Sequence, residues 1–184
     1  MSEDERQAFH VFLGAASMGL VYLLGVQLAA YAVAVILVCG LALAQLKLSG
    51  HSLGAVDKLI ERFERPHSTV GYGAMAIAAG TLCILTFLHS PAQIYASLCM
   101  LGLGDAASTY FGRRGKRKLP YNRRKTVEGT VAFFVFSLSA VYFVGWIGII
   151  VAALAAFAEG LETRIDDNLL VPLVCVLAFR LMLG

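Results

Sequence analysis

Charge is scarce in this sequence and unevenly placed. No Asp, Glu, Lys or Arg occurs from Val11 to Leu46 or from Pro66 to Gly104. Each run exceeds the ~20 residues that cross a bilayer as a helix. Charged residues make up 15% of the chain, against about 25% in soluble domains. Together with a 59% apolar content, this excludes a soluble globular enzyme, a disordered tail and a DNA-binding domain. The expected fold is all-α, a polytopic bundle of membrane helices forming one domain over residues 1–184. Cysteine is also sparse. Cys39, Cys83, Cys99 and Cys175 lie in apolar runs without C-x-x-C spacing, so they read as small buried hydrophobes, not metal ligands or disulfides. No G-x-x-x-x-G-K-[ST] is present, and Gly102-x-Gly104 lacks a third glycine, which removes the P-loop and dinucleotide folds. His10, His51, His67 and His89 lack the i, i+4 spacing of a zinc helix. The start, Met1 to Arg6, is acidic, and the apolar run behind it is too long for a signal-peptide core.

What is present divides into spans. Val11–Leu46 is long enough for two helices with a break near Gly25. Further spans are expected over Thr69–His89, Ala92–Phe111, Val127–Gly145, Trp146–Glu159 and Asn168–Leu183, with Ser90-Pro91 as a break and helix start. Seven spans place the N-terminus, the 47–68 segment, the 113–126 loop and the 161–167 loop on one side. Fourteen of the fifteen Lys and Arg residues fall there, Arg180 being the exception. The positive-inside rule makes that side cytoplasmic. Within 51–65, Leu53, Val56, Ile60 and Phe63 share one helical stripe among charged neighbours, the pattern of a helix in the membrane interface. A helix packed on the cytoplasmic ends of the bundle would show the same pattern.

Most chemistry-bearing residues fall between Gly102 and Asn168. Asp105 sits in an otherwise apolar helix, where an ionised carboxylate costs roughly 2.5–3.5 kcal/mol. Such a group persists when paired, bound to metal or facing a wet cavity. The small residues around it let a neighbouring backbone or a ligand approach closely. Glu128 and Glu159 also stand at the cytoplasmic ends of apolar helices, and Asp166-Asp167-Asn168 opens the last span. Carboxylates converging on one membrane face are what Mg²⁺ requires. The 113–126 loop adds Arg113, Arg114, Lys116, Arg117, Lys118, Arg123, Arg124 and Lys125, groups that suit polyphosphate oxygens. This combination serves phosphoryl or nucleotidyl transfer, in which the protein positions groups and neutralises developing charge. Attraction of the loop to anionic lipid is the plainer reading of those cations alone. His10, one turn after Arg6, faces the same side, either as an interfacial bystander or touching a phosphate.

In order, the chain carries Gly104-Asp105-Ala-Ala, Gly112-Arg113, Gly115-Lys116, Lys125-Thr126-Val-Glu128-Gly129-Thr130, Glu159, and Asp167-Asn168-Leu-x-x-Pro172. This set resembles the CTP-dependent polyprenol kinase family, which includes dolichol kinase, phytol kinase and the CTP-using diacylglycerol kinases of fungi. Arg6 and His10 resemble its less specific N-terminal R-x-x-x-H element. The resemblance implies transfer of the γ-phosphate of CTP to a long-chain isoprenoid alcohol dissolved among membrane lipids, with no nucleic-acid partner. It further implies that Asp105, with Glu128 or Asp167, holds Mg²⁺ on the triphosphate. Arg113, Lys116 and Lys125 would clamp phosphate oxygens, with Thr126 in the same nucleotide-binding stretch. Asp105 or Glu128 would accept the alcohol proton, and Asn168 would orient a carboxylate or the nucleotide. Glu159, Asp166, Arg6 and His10 complete the candidate set.

The first half also resembles the phosphatidate cytidylyltransferases. Their later G-D…K-R…D-R-x-D-S signature is missing, and Glu159 with Asp167-Asn168 favours the kinase branch. A small membrane transporter is the reading from another class. It requires a charged path through the whole bilayer, whereas the carboxylates gather toward one side.

Overall fold

A computed structural model describes residues 3–52, 54, 57 and 70–183. Among these residues the chain forms helices joined by loops and no strand beyond one isolated bridge between Lys118 and Thr126. Helix α1 covers Glu3–Leu48 and is broken at Gly25, whose φ of 77° and ψ of 165° lie outside helical space. That conformation is open to glycine because it lacks Cβ, so the long apolar run divides there into two arms. α2 is Tyr72–Phe87. α3, Pro91–Cys99, starts with proline at its first position, where the missing N–H has no helical partner to lose. It runs through a π-helical turn, Met100–Gly104, into α4, Asp105–Gly112. α5, Val127–Ser137, continues through a 3-10 turn at Leu138–Ala140 into the short α6, Val141–Val144. Gly145, at φ 64°, ends that run. α7 is Ile147–Gly160 and α8 is Asp167–Leu183. The interfacial helix expected over 51–65, in the 47–68 segment, falls almost wholly outside the described residues.

The first arm of α1 packs on the π turn through glycines. A Cβ added to Gly14 would lie 3.0 Å from Gly102 Cα, so the two backbones touch without side chains between them. α2 meets α8 in a similar way at Gly80, where a Cβ would run into the Asn168 carbonyl and the Pro172 ring. Pro172 has no N–H to offer the carbonyl four residues earlier, and the side-chain-free surface of Gly80 fits over that position. The shared core contains Ile84, Leu88, Ile94, Leu98, Met100, Phe133, Val151, Val171 and Phe179.

The outer surface is apolar as well. Tyr22, Leu23, Tyr142 and Leu181 are more than three-quarters exposed. Among the described residues two helical runs, Glu3–Leu48 and Val127–Val144, are long and apolar enough to cross a membrane, and Tyr72–Phe87 and Ile147–Gly160 are shorter apolar helices. All four cysteines are free, and Cys99 and Cys175 are buried as expected. Cys39, on the second arm of α1, is exposed, and Cys83 on α2 is half-buried.

Candidate active site

The basic loop between α4 and α5 is built as a braced hairpin. The Val127 amide donates to the Arg117 carbonyl at 2.8 Å and the Leu119 amide to the Lys125 carbonyl at 3.2 Å. Asn122, buried at its tip, accepts from the Arg124 amide at 2.9 Å through its side-chain oxygen. Its side-chain NH₂ donates to the Gly160 carbonyl at 3.1 Å, tying the hairpin to the end of α7. Thr126 caps α5, accepting from the Gly129 amide and donating to the Gly112 carbonyl at 3.1 Å. The structure thus gives the Thr126 hydroxyl two partners within the fold.

This bracing delivers Lys125 to the acids. Its ammonium pairs with Glu159 Oε1 and, at 2.7 Å, with Asp167 Oδ2. Glu159 is fully buried and also accepts from the Ser108 hydroxyl at 2.5 Å. Its second oxygen, Oε2, is buried without a partner. Burial alone would lower the Lys125 pKa, but the Glu159 and Asp167 carboxylates outweigh it and hold the ammonium above the ordinary lysine value. Ser108 lies one helical turn after Asp105, so α4 presents both side chains on one face. Asp105 is buried, and its Oδ2 lies 3.2 Å from His10 Nδ1. Its charge also bears on Asp167. Asp105, Ser108, Lys125, Glu159, Asp167 and His10 therefore form one connected polar patch among helices α1, α4, α7 and α8.

Other candidate residues sit around this patch. Glu128 accepts from the Lys116 amide at 3.0 Å and the Arg117 amide at 3.2 Å, bonding the hairpin and making no hydrogen bond to the Asp105 or Lys125 groups. Gly115 makes room for it, since a Cβ there would come within 2.6 Å of Glu128 Oε2. Asp166 caps α8, accepting from the backbone and side-chain NH groups of Asn168 at 3.0 and 2.9 Å. Asn168 Oδ1 is buried without a partner. Arg6 pairs with Glu3. Arg113 reaches Asp4 at 3.2 Å and Arg114 reaches it at 3.6 Å, which seats the N-terminus beside the hairpin. Lys116 is exposed. Among the described residues no three His, Cys, Asp or Glu side chains gather as a ready metal cage.

Comparison with known proteins adds what geometry alone does not. The chain is 38% identical over 107 residues to an uncharacterized protein of Methanocaldococcus jannaschii, covering 56% of each chain. It is 29% identical over 192 residues to a chloroplastic farnesol kinase of Arabidopsis thaliana, covering 88% of this chain and 61% of that one. A probable chloroplastic phytol kinase of Glycine max is 32% identical over 127 residues, covering 57% of this chain and 40% of its own length. The chain is thus similar to kinases of isoprenoid alcohols, which supports the resemblance its motifs carry to the polyprenol kinase family. It spans between two-fifths and about three-fifths of the length of these relatives. No family model and no solved structure matches it.

Two residues of the patch and its bracing escaped the reading of the sequence. Ser108 had a signal, its i+3 spacing from Asp105 on an apolar helix. Asn122 had none, because its role depends on the hairpin meeting the end of α7. His10, from the less specific N-terminal element, lies 3.2 Å from Asp105.

Proposed function

We propose that this chain is an integral membrane kinase that transfers the γ-phosphate of CTP to a long-chain isoprenoid alcohol. One observation carries the reading: in a chain related to farnesol and phytol kinases, Lys125 meets Glu159 and Asp167 beside Asp105, inside an otherwise apolar bundle. Seven spans, with the patch at the cytoplasmic interface, would let a water-soluble nucleotide meet an alcohol dissolved in the bilayer. The exposed apolar faces of the helices support that placement.

Mg²⁺ fits the residues present. It is commonly held by one or two carboxylates and completed by substrate phosphates. Asp105 and Asp167 stand in the same patch, beside His10 and Glu159, and they are the residues that would hold it. When bound, the ion neutralises charge on the triphosphate. Lys125, fixed by Glu159, points its charge at the same place, while Arg113 and Lys116 on the hairpin reach phosphate oxygens from the aqueous side. Glu128 occupies the Lys116 and Arg117 amides, so in this reading side chains, not those amides, grip the nucleotide. The alcohol oxygen attacks the γ-phosphorus, its proton leaves to the Asp105–His10 pair, and the bond to the β-phosphate oxygen breaks to release CDP.

The test is a product assay on purified protein in lipid nanodiscs with Mg²⁺, farnesol, phytol or geranylgeraniol, and CTP, ATP, GTP or UTP in parallel. Lipid monophosphate with CDP is the expected pair, and Asp105→Asn lowers kcat about 100-fold or more. Release of pyrophosphate, or no transfer from any nucleotide, overturns the proposal.

A further inference from the structure

Resting on that reading, we infer that the alcohol's terminal CH₂–OH docks in a small cavity between α1, α2, the π turn and α8. The cavity is lined by His10, Ile77, Thr81, Leu101, Gly102 and Asn168 among others, and holds about 10 Å³ of space for a water-sized sphere. That volume admits one hydroxyl oxygen and excludes a phosphate. Its walls are those an alcohol terminus requires. Ile77 and Leu101 face the first carbons, and Gly102 lets the α1 backbone close over them.

Its polar groups are matched to one hydroxyl. Asn168 is 8% exposed and its Oδ1 has no hydrogen-bond partner, a deficit that costs about 1–3 kcal/mol when nothing fills it. The alcohol O–H donates to that oxygen. Thr81, 3% exposed, supplies a hydroxyl that donates back to the alcohol oxygen. His10 joins this cavity to the chemistry, because the imidazole that lines it is also the one 3.2 Å from Asp105. A terminus held here is one residue, His10, away from Asp105.

The experiment has an arm that reads activity and an arm that does not. Thr81→Val keeps the shape and removes the donor; it is expected to raise the alcohol KM about fivefold and leave the CTP KM unchanged. Ile77→Phe fills the cavity and is expected to raise the alcohol KM at least as much. Separately, geranylgeraniol with a diazirine next to the carbinol carbon is photolysed with the wild-type protein in nanodiscs, without nucleotide. Adducts at residues 77–81, 101–102 or 168 support the inference even if the protein turns over no alcohol, in which case the kinase reading alone fails. Adducts confined elsewhere, or Thr81→Val raising only the CTP KM, overturn it.

Discussion

Removing the ammonium of Lys125 tests the pairing on which the patch depends. In Lys125→Met, the Glu159 carboxyl, its side chain 1% exposed, loses its counter-ion and keeps only the Ser108 hydroxyl at 2.5 Å. Breaking a buried pair by removing one partner costs about 3–5 kcal/mol. The Lys125 side chain is 29% exposed and that of Asp167 30%, so solvent reaches part of the network and the low end applies, about 3 kcal/mol. Glu159→Gln leaves Lys125 with Asp167 and removes one charged hydrogen bond, a loss of about 1.5–3 kcal/mol. The double variant has no stranded charge at position 159. Its loss falls short of the summed single losses by about 1–2 kcal/mol. Unfolding by SDS in mixed micelles, followed by far-UV circular dichroism, measures all four proteins. A Lys125→Met loss within about 0.5 kcal/mol of the parent, or strict additivity in the cycle, would refute the assignment of Lys125 as the counter-ion of Glu159.

Three further outcomes follow from the same geometry. Glu128→Gln weakens the bracing of the Lys116 and Arg117 amides and is expected to raise the CTP KM about tenfold with the alcohol KM unmoved; steady-state kinetics with each substrate varied separate the two. Because the folded-state pKa of Lys125 is raised, its contribution to stability is complete below the ordinary lysine value of about 10.4 and is lost as pH rises through the higher folded value. Unfolding titrations should therefore show an alkaline decline that Lys125→Met lacks. Gly14→Leu should force α1 off the π turn and cost about 1–3 kcal/mol. Gly19→Leu, on the same helix with nothing within 4 Å of its Cβ position, should stay within about 0.5 kcal/mol of the parent.

Much of the helical layout was legible because backbone rules act locally. Gly25, Ser90-Pro91 and Gly145 each stop or start a helix for reasons confined to one or two residues, and the breaks lie there. Asp105, Glu159 and Asp167 were legible because a carboxylate in an apolar helix demands a partner wherever it lies. Which partner it takes is tertiary information. Glu128 belongs to the same motif as Lys125, yet one closes the hairpin and the other reaches two helices beyond it. The direction was set by Gly115, whose missing side chain opens space for the Glu128 carboxylate. Thr126 likewise caps a helix, and a Thr followed three residues later by a glycine amide carries a weak capping signal. His10 lay outside the main motif, and its contact with Asp105 required knowing that Gly14 and Gly102 bring α1 against the π turn.

That π turn at Met100–Gly104 takes up one residue more than an α turn would. Five residues wound this way complete about the same rotation as four at the α-helical value of about 100° each. Deleting a single residue from the stretch would therefore restore ordinary pitch while leaving the carboxylate of Asp105 and the hydroxyl of Ser108 facing nearly the same way. A sequence alignment that closes a one-residue gap across this segment would keep those two side chains superimposed.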